Sequence, residues 1–170
     1  MMLKVIGAVL ILISCGSVGF RMAASQRREE RMLEELCRLL EYMECELRYR
    51  LTPLPALCAA TAGQASGVLK GVFLTLTQEL ENQISPDAGS CMHAALSRCR
   101  GLPQQVIQCL QELGKTLGTF DIDGQLKGLE VSQQACNRFL QDLRQNKDNR
   151  LRSYQTLGLC AGAAIVILFI

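Results

Sequence analysis

The charged residues of this chain are confined to its middle, and both ends are almost free of charge. The 170 residues include 18 Lys or Arg and 16 Asp or Glu, and all of them except Lys4 lie between Arg21 and Arg152. No side chain is charged from residue 5 to 20 or from residue 157 to 170. Uncharged apolar runs of this kind are typical of helices that enter a lipid bilayer. A chain anchored in a membrane at both ends is therefore predicted.

The two apolar runs predict transmembrane helices over residues 3–22 and 157–170. The 16 uncharged residues of the first run span about 24 Å as a helix, and flanking residues extend them to the hydrocarbon thickness of about 30 Å. The second run spans only about 21 Å, so it needs local thinning of the bilayer or neighbouring helices. Gly158 and Gly162 share one helix face, which favours close packing against the first segment or another subunit, including a second copy of the chain. The alternative is an apolar tail packed on the soluble domain.

Basic residues next to the two segments predict the orientation of the chain. Four follow the first segment and four precede the second: Arg21, Arg27, Arg28, Arg31, Arg144, Lys147, Arg150 and Arg152. Because positively charged flanks stay in the cytoplasm, residues 23–156 are predicted to form a cytoplasmic domain with both termini across the membrane.

Cys15 leaves a second interpretation open. Residues 12–15 read Leu-Ile-Ser-Cys and resemble a lipobox, and Lys4 before an apolar run resembles a signal peptide. Cleavage there would leave a binding protein lipidated at Cys15 and place the domain outside the cell. The residues after Cys15 remain apolar and the following arginines oppose export, so the doubly anchored topology is favoured. A third interpretation, a transporter subunit, lacks intramembrane charges beyond Lys4 to form a substrate path.

The middle of the chain predicts an all-α bundle of about six helices. Over residues 26–50, apolar residues recur every three or four positions: Met32, Leu36, Leu39, Leu40, Met43 and Leu47. Thr52 is predicted to be the N-cap of a second helix, with Pro53 at its first position. Further helix boundaries are predicted at residues 63–67, 85–87 and 101–103. Gly118 is expected to end the fifth helix in a left-handed conformation, and Asp121 to cap the last helix.

The nine cysteines are predicted to be small buried hydrophobes rather than metal ligands or disulfides. Their spacing contains no CxxC pair, and His93 is the only histidine, so a zinc site is poorly supplied. Cys37 and Cys45 are eight residues apart, a little over two helical turns, which suggests one stripe that faces the core. No metal and no cofactor is expected.

No catalytic motif is found in the sequence. Gly114-Lys115-Thr116 resembles the end of a P-loop, but position 109 holds Cys where that motif needs Gly, and no strand precedes it. Asp121 and Asp123 are explained more simply by helix capping than by acid–base catalysis. The middle of the chain carries a net charge near +1, so no nucleic-acid partner is indicated.

Several residues, taken in order, resemble the stage III sporulation protein AB family of endospore-forming bacteria. They are Leu3-Lys4-Val5-Ile6-Gly7-Ala8, Gly19-Phe20, Glu46, Tyr49, Thr52-Pro53-Leu54-Pro55, Leu117-Gly118, Asp121, Tyr154, Leu157-Gly158 and Gly162. The resemblance covers essentially the whole chain. That family is similar to the inner-membrane platform proteins of type II secretion and type IV pilus machines, whose cytoplasmic parts are six-helix bundles.

The resemblance implies a non-enzymatic component of the channel-like complex that joins the mother cell and the forespore. Such a protein would lie in the mother-cell membrane around the forespore, with other subunits of the complex and a cytoplasmic ATPase as partners. The candidate contact positions are Arg27, Arg28 and Glu34 on the first helix, and Thr52 and Pro53 in the turn that follows it.

Overall fold

The computed structural model describes the backbone of residues 2–82, 87–118 and 121–169, and the side chains of residues 25–82, 87–118 and 121–145. Within these residues the protein has six helices and no strand, so the all-α prediction is confirmed. The helices are α1 (Met2–Arg50), α2 (Leu54–Gln64), α3 (Gly67–Glu81), α4 (Ala88–Arg98), α5 (Gln104–Thr116) and α6 (Ile122–Phe169).

The two long helices, α1 and α6, pack together in antiparallel directions. Arg144 of α6 contacts Glu34 of α1, whereas Gln133, three turns earlier in α6, donates a hydrogen bond to Glu44 at 2.9 Å. Residue numbers thus fall along α6 as they rise along α1. Consequently the N-terminal part of α1 and the C-terminal part of α6 leave the bundle at the same end.

Helices α2 to α5 pack in sequence order and fill the space beside the long pair. Contacts run from α2 to α3, α3 to α4, α4 to α5 and α5 to α6. All six apolar residues predicted to face the core from the first helix are buried, and Phe73, Leu110 and Leu113 join them without exposed surface. Burial of each such side chain contributes about 1.5–3 kcal/mol, so this single core is the main source of stability.

The predicted signals of Asp121 and Gly118 at helix ends are confirmed, and Asp87 provides a further cap within the predicted boundary at residues 85–87. Asp87 caps α4, because its Oδ1 accepts a hydrogen bond from the Ser90 amide at 2.8 Å. Asp121 does the same for α6 through the Gly124 amide at 3.0 Å. Gly118 has a φ of +74°, the left-handed conformation predicted for it.

Among the described residues, no helix is both long enough and apolar enough to cross a membrane. The predicted transmembrane segments, 3–22 and 157–170, belong to parts of the chain whose side chains lie outside the described residues. Gly158 and Gly162 lie outside them as well.

Candidate interaction surfaces

The acidic residues near the start of the described part of α1 hold the long helices together. Arg144 of α6 places Nη2 at 2.6 Å from an oxygen of Glu34 and Nε at 3.3 Å from an oxygen of Glu30. Glu30 and Glu34 are four residues apart and would repel each other, so the shared guanidinium compensates both charges. The same hydrogen bonds raise the pKa of Arg144 above its usual value. Glu34 thus pairs across the bundle with a residue of α6.

A third carboxylate of α1, that of Glu35, fixes the loop between α2 and α3. Its Oε1 accepts hydrogen bonds from the backbone amide of Ser66 at 2.6 Å and from the Ser66 hydroxyl at 2.7 Å. Ser66 is the N-cap residue of α3, so this bond orients the start of that helix. The acidic side chains around residue 34 therefore serve contacts within the protein.

Three arginines of α1 are exposed to solvent beside these acids. Arg27, Arg28 and Arg31 are exposed, and we call them the arginine surface. A groove of about 330 Å³ lies at the contact of α1 with the α4–α5 loop and is lined by Ser25, Arg28, Glu29, Gly101, Leu102, Pro103 and Gln104. Partial burial raises the pKa of Glu29 in this groove. The predicted contact positions Arg27 and Arg28 thus offer a basic surface.

The α1–α2 turn, by which we mean the last two residues of α1 and the three residues that follow (49–53), is held in place by one carboxylate. Glu46 pairs with Arg50 at 3.2 Å and accepts a hydrogen bond from the Thr52 hydroxyl at 3.3 Å. Tyr42 is also hydrogen-bonded to Glu46. The pKa of the tyrosine is raised, mainly by burial and in addition by the negative charge of Glu46. Two side chains of α1, Tyr42 and Arg50, and one of the turn, Thr52, therefore meet at Glu46.

Thr52 does not cap α2, so that part of the prediction is wrong. The N-cap residue is Pro53, and no side chain caps the helix. Pro55 occupies the second helical position and has no N–H, which removes one of the donors that a cap would bind. The Thr52 hydroxyl is instead used by Glu46.

The braced turn presents two large side chains to solvent. Tyr49 is 79% exposed and Leu51 is 59% exposed. Leu51 has a φ of +51° and is the one non-glycine residue with positive φ in the described part of the chain. This conformation costs a branched apolar residue about 1–3 kcal/mol. Neither periodicity nor capping patterns report a single left-handed residue, so this conformation is not predictable from the pattern of apolar and polar residues.

The residues that resemble catalytic motifs have structural contacts. A Cβ added to Gly114 would lie 2.7 Å from Cβ of Met92, so this glycine permits the close approach of α4 and α5. Lys115 is paired with Glu112 at 2.6 Å. His93 is exposed on α4. Within the described residues, no group of three or more His, Cys, Asp or Glu side chains is placed to hold a metal ion.

Five of the cysteines are buried as predicted, but Cys45 is exposed. The buried ones are Cys37, Cys58, Cys91, Cys109 and Cys136, whereas Cys99 is intermediate and Cys15 and Cys160 lie outside the described residues. The predicted stripe of Cys37 and Cys45 is wrong. Eight residues rotate a helical position by about 80° beyond two full turns, which is enough to move a side chain from the core to the surface.

These features define an all-α bundle framed by two long antiparallel helices. The family model for Stage III sporulation protein AB matches residues 4–170, and the chain belongs to this family. Stage III sporulation protein AB of Bacillus subtilis (strain 168) is 25% identical over 170 residues, which cover 98% of this chain and 99% of that protein. The resemblance predicted from the sequence is thus confirmed.

A solved structure of a Stage III sporulation protein AB shares the fold. Its TM-score with this chain is 0.63 at 21% identity, and the match covers 72% of this chain and 98% of that chain.

Proposed function

We propose that this member of the sporulation family is a non-enzymatic platform in the mother-cell membrane, which docks a cytoplasmic ATPase on its α1–α2 turn. The segments 3–22 and 157–170 would anchor it, and the bundle would face the cytoplasm. The observation that carries the docking proposal is the exposure of Tyr49 and Leu51 on a turn held in a strained conformation. Strain that the surrounding structure maintains is often found where a protein contacts a partner.

The direction of the long helices supports the two-anchor arrangement. Because α1 and α6 are antiparallel, the two apolar runs leave the bundle at the same end and can enter one bilayer. The α1–α2 turn lies at the opposite end of α1. About 27 Å of helix separates Arg31 from Tyr49, so the turn would extend away from the bilayer toward soluble partners.

The chemistry of the turn also suits a protein partner. Tyr is enriched among the residues that dominate binding energy at interfaces, because it buries a large area and loses little side-chain entropy. Arg27, Arg28 and Arg31 lie near the predicted bilayer surface, where positive charges would interact with anionic lipid headgroups. We therefore assign the ATPase to the turn and the lipid surface to the arginines.

Docking is tested by co-purification of the full-length chain, in detergent, with the cytoplasmic ATPase that the family resemblance implies. We expect the chain and the ATPase to form a complex that remains intact during size-exclusion chromatography at micromolar concentrations. The control is Val131→Asn, which changes an apolar residue that is 52% exposed on α6, outside the turn. This variant should bind the ATPase as the wild type does. A failure of the wild-type chain to bind at these concentrations would contradict direct docking.

The orientation is tested with Cys45, which is exposed on the domain and needs no engineering. In intact cells, a membrane-impermeant maleimide should leave Cys45 unlabelled, and permeabilisation should allow labelling. Cys45→Ala identifies the signal against that of other thiols. Labelling of Cys45 in intact cells would instead support the alternative, in which a lipidated Cys15 holds the domain outside.

A further inference from the structure

Three thiols from three different helices meet inside the bundle. Cys37 of α1, Cys109 of α5 and Cys136 of α6 are 8%, 1% and 0% exposed. Sγ of Cys37 lies 2.9 Å from Sγ of Cys136, and Cys109 is also hydrogen-bonded to Cys136. We call these three residues the thiol cluster. Neither the platform role nor the predicted contact surfaces use it.

Two sulfur atoms of the thiol cluster, those of Cys37 and Cys136, already lie near bonding distance. A disulfide bond is about 2.05 Å long, so the two sulfurs need to approach by less than about 1 Å from the 2.9 Å observed. The Cys136 thiol also donates a hydrogen bond at 3.3 Å to the carbonyl oxygen of Leu33, one turn before Cys37, so α6 approaches α1 closely at this level. The pair therefore bridges the interface between the two long helices.

We propose that Cys37 and Cys136 form a redox modification site, at which a low-molecular-weight disulfide oxidises the two thiols to a covalent link between α1 and α6. In the first step, the Cys37 thiolate attacks one sulfur of the oxidant RSSR and expels RS⁻. In the second step, the Cys136 sulfur loses its proton to the medium and attacks the mixed disulfide at Cys37, which expels the second RS⁻. Both RS⁻ groups are protonated, so two thiols are oxidised and one RSSR is reduced to two RSH.

Cys37 is the thiol that meets the oxidant first. It is the most exposed residue of the thiol cluster. Its thiol donates a hydrogen bond at 3.6 Å to Oδ1 of Asn137, an exposed residue of α6, so Cys37 lies on the side of the cluster nearest to solvent. In the thiolate state, the hydrogen bond from Cys136 lowers the pKa of Cys37, against the opposing effects of burial, Glu41 and Glu34. A thiol with more thiolate character reacts faster with disulfides. Cys136 has no exposed surface, and its hydrogen bonds with Cys109 and Cys37 raise its pKa. It therefore reacts second, with the mixed disulfide that forms beside it, rather than with the oxidant in solution.

The link would have a mechanical consequence for the whole bundle. Its two cysteines are 99 residues apart, so the closed loop contains α2 to α5. A cross-link over such a long loop restricts the unfolded chain strongly. We expect Tm to rise by several degrees on oxidation and to return when a reductant is added.

The test uses the full-length chain, purified in detergent under reducing conditions and then incubated with glutathione disulfide. Remaining thiols are blocked with N-ethylmaleimide, and tryptic peptides are identified by mass spectrometry without reduction. Trypsin separates the relevant cysteines, because peptides 32–38, 101–115 and 128–138 contain Cys37, Cys109 and Cys136 alone. We expect peptides 32–38 and 128–138 to be joined, and to come from a monomer on a non-reducing gel.

Two matched cysteines serve as controls for the oxidation. Cys45, in peptide 39–48, is exposed and should become glutathionylated. Cys58, in peptide 51–70, should stay unmodified, because burial raises its pKa to about 12. Recovery of peptides 32–38 and 128–138 with maleimide on both, while Cys45 is glutathionylated, would overturn the proposal. A link from Cys109 to either cysteine would overturn the assigned pair.

Single substitutions separate the two steps. In Cys136→Ala, we expect Cys37 to retain the mixed disulfide with glutathione, because the attacking thiol is missing. In Cys109→Ala, the link between Cys37 and Cys136 should still form. Loss of the link in Cys109→Ala, with a folded protein by circular dichroism, would contradict the two-thiol mechanism.

Discussion

Over residues 25–50, where the side chains of α1 are described, the two ends of the helix use their side chains in opposite ways. Near its start, Glu30, Glu34 and Glu35 are bonded to Arg144 and Ser66, so the acidic groups hold other helices in place. At the α1–α2 turn, a single carboxylate braces the backbone, and Tyr49 and Leu51 remain exposed. The first region therefore stabilises the bundle, and the second presents apolar surface.

This difference shows why a run of charge is a poor guide to a contact surface. Acidic residues of α1 find partners on other elements, whereas the arginines beside them remain exposed, so the outer surface is simpler than the mixed charges of the sequence suggest. Leu51 is more informative, because an exposed apolar residue in a costly conformation has no explanation in the stability of the isolated chain.

The largest expected effect is on ATPase binding by the turn. Tyr49→Ala combined with Leu51→Asn removes both exposed side chains, and Asn tolerates positive φ, so the fold should be preserved. Loss of a contact worth about 2 kcal/mol weakens binding by roughly 30-fold. Isothermal titration calorimetry with the full-length chain in detergent measures this change.

The matched control for that variant changes the other end of α1. Arg27→Gln, Arg28→Gln and Arg31→Gln, made together, should alter ATPase affinity by less than about threefold, because Arg31 is separated from Tyr49 by about 27 Å of helix and the arginines are assigned to the lipid surface. If the arginine variant weakened binding more than the turn variant, the assignment of the two regions would be reversed.

The next effect concerns the stability that the acidic groups provide. Arg144→Glu would bring a third carboxylate beside Glu30 and Glu34, and repulsion should lower Tm measurably. Arg138→Glu is the control, because Arg138 is exposed on the same helix and makes no ion pair among the described residues. High salt should narrow the gap between the two variants, because it screens exposed charges. Equal Tm values for both variants would show that the Arg144 contacts add nothing.

The smallest effect is the relief of strain in the turn. Leu51→Gly should raise the free energy of unfolding by about 0.5–1 kcal/mol, because the gain from a strain-free positive φ exceeds the loss of chain entropy. Tyr49→Gly, in the last turn of α1, should lower it by about 1 kcal/mol. Urea unfolding at equilibrium compares the two. A destabilised Leu51→Gly would mean that the leucine side chain, despite its exposure, supports the fold.

Much of the bundle could be predicted because its signals are local. The apolar repeat of α1, the cap at Asp121 and the left-handed Gly118 each depend on residues within a few positions. The contacts of Arg144 could not be predicted, because they join residues more than 100 positions apart. The same holds for the thiol cluster, in which spacing along the chain says nothing about the meeting of three helices.

The most direct test of the central claim places a photoreactive group at each end of α1 in sporulating cells. Benzoylphenylalanine replaces Tyr49 in one strain and Arg31 in another, and both positions are exposed. After irradiation, we expect a cross-link to the cytoplasmic ATPase from position 49 and none from position 31. A cross-link to the ATPase from position 31 alone would contradict the account.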